Sequence, residues 1–280
     1  MITLYDHPLS PYAQKVRIAL REKGVEFRAT LPGGLGAGGA AGEFVETSPR
    51  AEVPALIDGD VRVFDSTIIL EYLEDKFPSP ALLPASAADR ARVRMIEEVM
   101  DTHYEAINWG LSEINWFRRA DGELAASLKA RAAEQTRGFL AWLDRQLGDA
   151  PWFNGQGFGW GDLSVVPYVA ASAATGNPPP AGGRVAAWLE RTLARPSVTT
   201  TVGEARAFNT ADSGVAEAVA TGLFKREYRD HRLEWMMKSG GVEIVLKGLE
   251  AGNIRFHAGL PLSGLACPRD SLVSLPAARP

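Results

Sequence analysis

Proline 54 constrains this chain more than any other single residue. It opens an apolar run, Glu52-Val53-Pro54-Ala55-Leu56-Ile57. A proline cannot donate a ladder hydrogen bond, so it belongs at a strand start, an edge or a bulge. A cis bond at this point would turn the Val53 N–H and C=O outward, where an extended peptide laid alongside could pair with them. Shortly afterwards Phe64-Asp65-Ser66-Thr67 begins a helix, and helix N-termini attract carboxylates. The two elements together read as a receptor for a small anionic peptide, with each end held by different chemistry.

The rest of the first eighty residues gives Pro54 its setting. Ile2 to Tyr5 is a short β-rich run, and from Pro11 the pattern turns helical, with Tyr12, Val16, Ala19 and Leu20 on one stripe and Gly24 as the stop. Val25 to Thr30 reads as a second strand. Gly33 to Gly42 holds six glycines in ten residues and reads as a mobile loop. It lacks the Gly-Lys-Ser/Thr of a phosphate cradle. Ala55 to Ile57 and Val61 to Phe64 form a hairpin across Asp58-Gly59-Asp60, and Asp65 to Lys76 is a helix ended by Pro78. The order β-α-β-α-β-β-α combines a parallel crossover with a closing hairpin.

From Asp89 onward strand signals nearly vanish. Val93, Ile96, Met100, His103, Ile107, Leu111 and Ile114 recur every three or four residues along one long amphipathic helix. Further helical stretches run over 123–147, 162–174 and 185–193, with amphipathic helices interrupted by Gly240-Gly241 and a tail beyond them. Phe77 to Ala88, rich in proline and alanine, is the linker. The fold class expected is α+β: an N-terminal α/β domain over 1–80, an all-α helical bundle over 88–208, and a helical extension over 209–280.

Composition narrows the partners. The 280 residues carry a net charge of −4 without a basic run, so nucleic acid and anionic membrane are poor partners. The longest mainly apolar run, Leu163 to Thr175, is too short for a bilayer, and the N-terminus lacks a signal-peptide pattern. The single cysteine, Cys267, excludes an internal disulfide and a thiolate cluster. It lies in the tail, too remote for a nucleophile. Four scattered histidines offer no metal-ligand spacing. The expected setting is reduced and cytoplasmic, with no metal.

Ser10 followed by Pro11 is a common helix start, so Ser10 serves at least as a cap. A hydroxyl at a helix N-terminus beside a peptide slot can also donate to a ligand thiolate, assisted by the helix dipole. Asp65-Ser66 likewise would cap a helix in any protein. His7 is a solvated histidine or a base, and Tyr12 is the second candidate for the thiolate donor.

Three motifs now occur in order: Ser10-Pro11-Tyr12 with Arg17; Pro49-Arg50-Ala51-Glu52-Val53-Pro54-Ala55-Leu56; and Asp65-Ser66-Thr67 with Glu71-Tyr72-Leu73. They resemble the thioredoxin-like domain of the cytosolic glutathione transferases. Phe158-Gly159-Trp160-Gly161-Asp162-Leu163-Ser164 and the stretch from Trp188 to Val198 resemble later helices of the same family. The resemblance covers residues 1–208. It implies Ser10 as the catalytic position, Val53 pairing with the cysteinyl backbone of glutathione beside a cis Pro54, and Asp65 and Ser66 on the γ-glutamyl end. Glu52 stands where a lysine commonly faces the glycine carboxylate, and a carboxylate there repels the ligand unless it points away. Gly159 replaces a usual Ser/Thr cap. Tyr12, His103, Tyr104 and Trp109 are expected at the pocket for a second, hydrophobic substrate.

The implied activity is glutathione transfer to a small hydrophobic electrophile by a homodimer, with glutathione as co-substrate. The absence of an N-terminal cysteine argues against disulfide exchange and reductive dehalogenation. Glutathione-dependent ether cleavage is a narrower form of the same chemistry. A non-catalytic regulatory scaffold is the alternative, with the extension packing on the bundle, lidding the pocket or binding a partner.

Overall fold

The computed structural model describes residues 1–37, 39–208 and 214–256. His257 and Cys267 lie outside the described residues.

The chain opens with β1 (Ile2–Tyr5), α1 (Pro11–Glu22), β2 (Phe27–Thr30), α2 (Glu43–Thr47), β3 (Ala55–Asp58), β4 (Val61–Phe64) and α3 (Ser66–Lys76). The sheet order is β2-β1-β3-β4, parallel between β1 and β2 and antiparallel elsewhere. Local chemistry accounts for the joints. Ser10 Oγ accepts from Ala13 N–H at 3.3 Å to start α1, and Gly59 at φ +61° turns the β3–β4 hairpin. β2 begins two residues later than its apolar pattern suggests.

The helices that follow are α4 (Ala87–Val99), a π-helical turn (Met100–Tyr104), α5 (Glu105–Asn115), α6 (Gly122–Leu147), α7 (Trp160–Ala174), α8 (Arg184–Leu193) and α9 (Pro196–Ala207). The expected long helix is therefore real but not uniform. At its middle the Glu105 N–H reaches back to the Met100 carbonyl, five residues away. The architecture is the thioredoxin-like layer and helical bundle expected from sequence.

Two apolar clusters hold the molecule together. One runs from the sheet (Leu4, Leu56) through α1 and α3 (Leu20, Leu73) into the bundle at Val93, Trp160 and Tyr168. Charge crosses the same junction. Lys15, wholly buried, bonds Glu97 and Asp101 at 2.6 Å each. Removing one member of such a group strands an uncompensated buried charge.

The second cluster joins α5 and α6 to the extension. After residue 213 come α10 (Val215–Ala220), β5 (Arg226–Glu227), α11 (Asp230–Ser239), α12 (Val242–Glu250) and β6 (Ile254–Arg255). β5 and β6 pair in parallel, a feature absent from the helical reading of this region. Tyr228, Trp235, Met236 and Ile244 pack against Ile107, Trp109 and Leu128. The extension also fastens the glycine-rich loop, which is not left free: Lys225 N–H donates to Gly36 O at 2.9 Å, and the Phe224 ring lies where a Gly36 Cβ would sit.

Candidate functional site

The Val53–Pro54 peptide is cis and stands at the mouth of β3. Ser48 Oγ braces the approach, donating to Glu52 O at 2.9 Å and accepting from Glu52 N–H at 3.3 Å. Across from it, Asp65 caps α3 by accepting from Thr67 N–H at 3.0 Å, and Ser66 is buried beside it. Between these walls runs a cleft of about 730 Å³. Asp65, which lines it, has φ +76°, and Ala51, between the lining residues Arg50 and Glu52, has φ +52°. Non-glycine residues in that region cost about 1–3 kcal/mol each and cluster at ligand sites.

The cleft has a third wall, from the C-terminal extension: Tyr228, Arg229, Asp230, His231 and Phe256 line it together with Tyr12, Glu52, Val53 and Pro54. Arg229 grips Glu52 with both Nε and Nη2, the Nε bond at 3.2 Å. Its guanidinium lies 5.2 Å from the centre of the Tyr12 ring. Glu227, on β5, meets Arg255 and lies 3.5 Å from Arg229 Nε. Burial and the neighbouring Glu52 carboxylate push the Glu227 carboxyl up to about 7, against Arg255 and Arg229.

Beneath the cleft, Tyr12 donates to the Asp101 carbonyl at 2.7 Å. Burial and Glu97 push the Asp101 carboxyl up to about 6, while Lys15 and the Tyr168 hydroxyl pull it down. On α5, Glu105 bonds Arg232 at 2.6 Å and His231 at 3.0 Å. Those partners outweigh burial and hold its carboxyl down at about 2. Glu113, wholly buried, meets Arg226 and, at 3.1 Å, the Tyr228 hydroxyl. The extension is thus locked to α5 by charge as well as by apolar contact.

Two domain models match this chain, the glutathione S-transferase N-terminal domain over residues 4–81 and its C-terminal domain over 116–191. Glutathione S-transferase 1 of Dianthus caryophyllus is 30% identical over 172 residues, 60% of this chain and 76% of that protein. The chain belongs to the glutathione transferase family. A stringent starvation protein A homologue of Coxiella burnetii is 38% identical over 96 residues, 34% of this chain. The match spans less than half of the first curated relatives, 44% in that homologue. Among solved structures, rice GST1 in complex with glutathione superimposes with a TM-score of 0.59 at 26% identity, over 74% of this chain and 97% of that one.

As a member of this family, the chain brings together Glu52, Val53, Pro54, Asp65, Ser66 and Tyr12 along one cleft. Ser10 is not among the described residues that line it. Its described bond is the α1 cap to Ala13. His7 is likewise outside that lining, with Nδ1 accepting from Leu9 N–H at 3.2 Å and its ring edge-on to Phe208. Burial lowers the His7 pKa, against the pull of Asp6, and so favours the neutral ring.

The expected second-substrate pocket differs most. Tyr104 faces the core beside Phe139, His103 is exposed, and Trp109 is only 7% exposed beneath Tyr228, Arg226 and Arg232. Of the four residues expected there, Tyr12 alone lines the cleft described above, and the extension packs on α5 over Trp109. Gly159, a departure from the family cap, has a steric reason. A Cβ there would lie 2.2 Å from Asn154 Nδ2 and 2.4 Å from Leu82 O. The reciprocal half of the cap remains, with Asp162 Oδ2 accepting from Gly159 N–H at 3.0 Å, while Oδ1 accepts from Trp188 Nε1–H at 2.8 Å. The residue that sequence missed is Arg229. Its signal was the reversed charge of Glu52, a carboxylate standing where a lysine is common.

Proposed function

We propose that this protein binds glutathione in the cleft beside Pro54 and presents its sulfur as a thiolate to a small electrophile. The observation that carries this is the cleft itself, lined by Val53 and Pro54 on one side and by the capped start of α3 on the other. Membership of the family and the glutathione complex of the rice relative support the same ligand. Val53 pairs with the cysteinyl backbone, while Asp65 and Ser66 hold the γ-glutamyl ammonium and carboxylate.

Two hydroxyls compete to serve the sulfur. Ser10 accepts a backbone bond, which leaves its own proton to donate. Tyr12 lines the cleft but its O–H is committed to Asp101, and burial raises its pKa far above the usual range. A thiol pKa of about 8.5 must fall by about two units for the thiolate to dominate at neutral pH, worth about 2.7 kcal/mol. One or two charge-assisted hydrogen bonds at a helix N-terminus can provide that.

The test is calorimetric titration with glutathione, followed by ultraviolet absorbance of the bound thiolate in the wild type, Ser10→Ala and Tyr12→Phe. A raised thiolate pKa in Ser10→Ala assigns the donor to Ser10, and in Tyr12→Phe to Tyr12. No binding at millimolar glutathione refutes the proposal. A second reading, a regulatory protein without turnover, is favoured by the extension packed over Trp109, which fills the face expected to receive the electrophile. Glutathione bound tightly, with no conjugation across a panel of electrophiles, selects it.

A further inference from the structure

The cleft is rich in acid. Glu52, Asp65, Glu98, Asp101 and Asp230 line it, against the guanidinium groups of Arg50 and Arg229 and the ring of His231. His231 is already engaged with Glu105. A ligand with two carboxylates needs donors that its surroundings have not consumed, and both arginines offer them. Arg50 lies over the Phe64 ring at 5.3 Å, its Nη1 reaches Asp65 only at 4.0 Å, and its Nε is buried without a hydrogen-bond partner. That donor stands at the α3 end of the cleft.

Arg229 stands at the other end. A guanidinium carries five N–H donors in a planar fork. Glu52 takes the side formed by Nε and Nη2. That leaves Nη1 and the second Nη2 proton as an end-on fork, the geometry that holds a carboxylate bidentately. The Tyr12 ring lies 5.2 Å from the guanidinium carbon, packing against the group beside the cleft. The charges around it are also suited to an anion. With both carboxylates ionised, Glu52, Glu227, Arg229 and Arg255 sum to zero. Each proton that the buried Glu227 retains near neutral pH leaves the group positive.

We infer that Arg229, carried on the extension and aligned by Glu52, binds the carboxylate at this end of the cleft, which in glutathione is that of the terminal glycine. The inference rests on the glutathione reading above. It gives Glu52 a role opposite to repulsion: the carboxylate orients the cation that receives the ligand. It also makes residues beyond the bundle part of the binding site.

The experiment compares glutathione with its glycine monoethyl ester by calorimetry on the full chain. The wild type should bind the ester at least tenfold more weakly, the loss expected of one bidentate charge-assisted contact. Arg229→Gln should weaken glutathione by a similar factor and leave the ester unchanged, while Arg50→Gln keeps the discrimination between the two ligands. Equal binding of both ligands by the wild type overturns the inference, and this holds even if Arg229→Gln fails to fold. A parallel loss for both ligands in Arg229→Gln overturns it too. A wild type that binds neither ligand refutes the glutathione reading, and the inference with it.

Discussion

Arg232→Met tests whether the extension is held by charge. Arg232 Nη2 bonds Glu105 Oε1 at 2.6 Å, and its Nε reaches the two carboxylate oxygens at 3.2 and 3.1 Å. Both partners are deeply buried, with side chains 13% and 5% exposed. Together with His231, Arg232 takes the Glu105 carboxyl from 4.5 to about 2. At about 1.4 kcal/mol per pH unit, that drop is worth about 3 kcal/mol. Because the folded value is depressed, the contribution is complete above pH 4.5 and fades as pH falls toward 2. Methionine keeps most of the side-chain volume but strands the carboxylate with His231 alone. Urea unfolding followed by tryptophan fluorescence at pH 7 should show a loss of about 2–4 kcal/mol. The double variant with Glu105→Gln should lose less than the two single variants combined. A single-variant loss below about 0.5 kcal/mol, typical of an exposed pair, would refute the buried-clamp argument.

Lys15→Met should be worse at neutral pH, costing about 3–5 kcal/mol, because it leaves Glu97 and Asp101 facing each other. The loss measured by urea unfolding should shrink below pH 6, where Asp101 takes up a proton. Wild-type stability should fall from pH 5 to pH 8. Asp101 and Asp162 rise from 3.8 to about 6 on folding and Glu227 from 4.5 to about 7, so the folded state holds extra protons that it surrenders as pH climbs. A urea midpoint that is flat or higher at pH 8 would contradict this. Gly110→Ala should destabilise despite the helix-propensity gain of about 1 kcal/mol, since its Cβ would lie 2.2 Å from Trp235 Cζ3. That ring is fixed by a 2.8 Å bond from its Nε1 to Gln135, so a raised melting temperature would show that α11 is not seated there.

What sequence made legible was what local chemistry decides. The Ser10 cap, the Asp58-Gly59-Asp60 turn, the β-rich run of β1 and the stripe from Val93 to Ile114 depend on neighbours within a few residues. Motif spacing then placed Val53, Pro54, Asp65 and Ser66 on one cleft. The extension resisted because its partners are far away in the chain. Glu105 and Glu113 look like ordinary acidic positions on a helix until Arg232 and Arg226, more than a hundred residues later, bury them. The Tyr104 and Trp109 aromatics carried no mark of which face would be covered. The glycine-rich loop read as free because the Phe224 ring and Lys225 amide that hold it are not local.

The π-helical turn has an evolutionary arithmetic of its own. A π turn accommodates one residue more than an α-helical path through the same span, and one residue advances an α-helix by about 100°. Excising a single residue between Met100 and Tyr104 would regularise the backbone and leave everything after it in place, because the wide turn already absorbs the extra residue. Without the wide turn, the same residue count would swing the rest of the helix by more than a quarter turn. Glu105, Trp109, Gly110 and Glu113 would then face away from Arg232, Tyr228, Trp235 and Arg226. An extra codon absorbed as a π turn therefore keeps the berth for the further segment intact. The wide turn, rather than the number of residues in the helix, keeps the partners of the C-terminal addition in register.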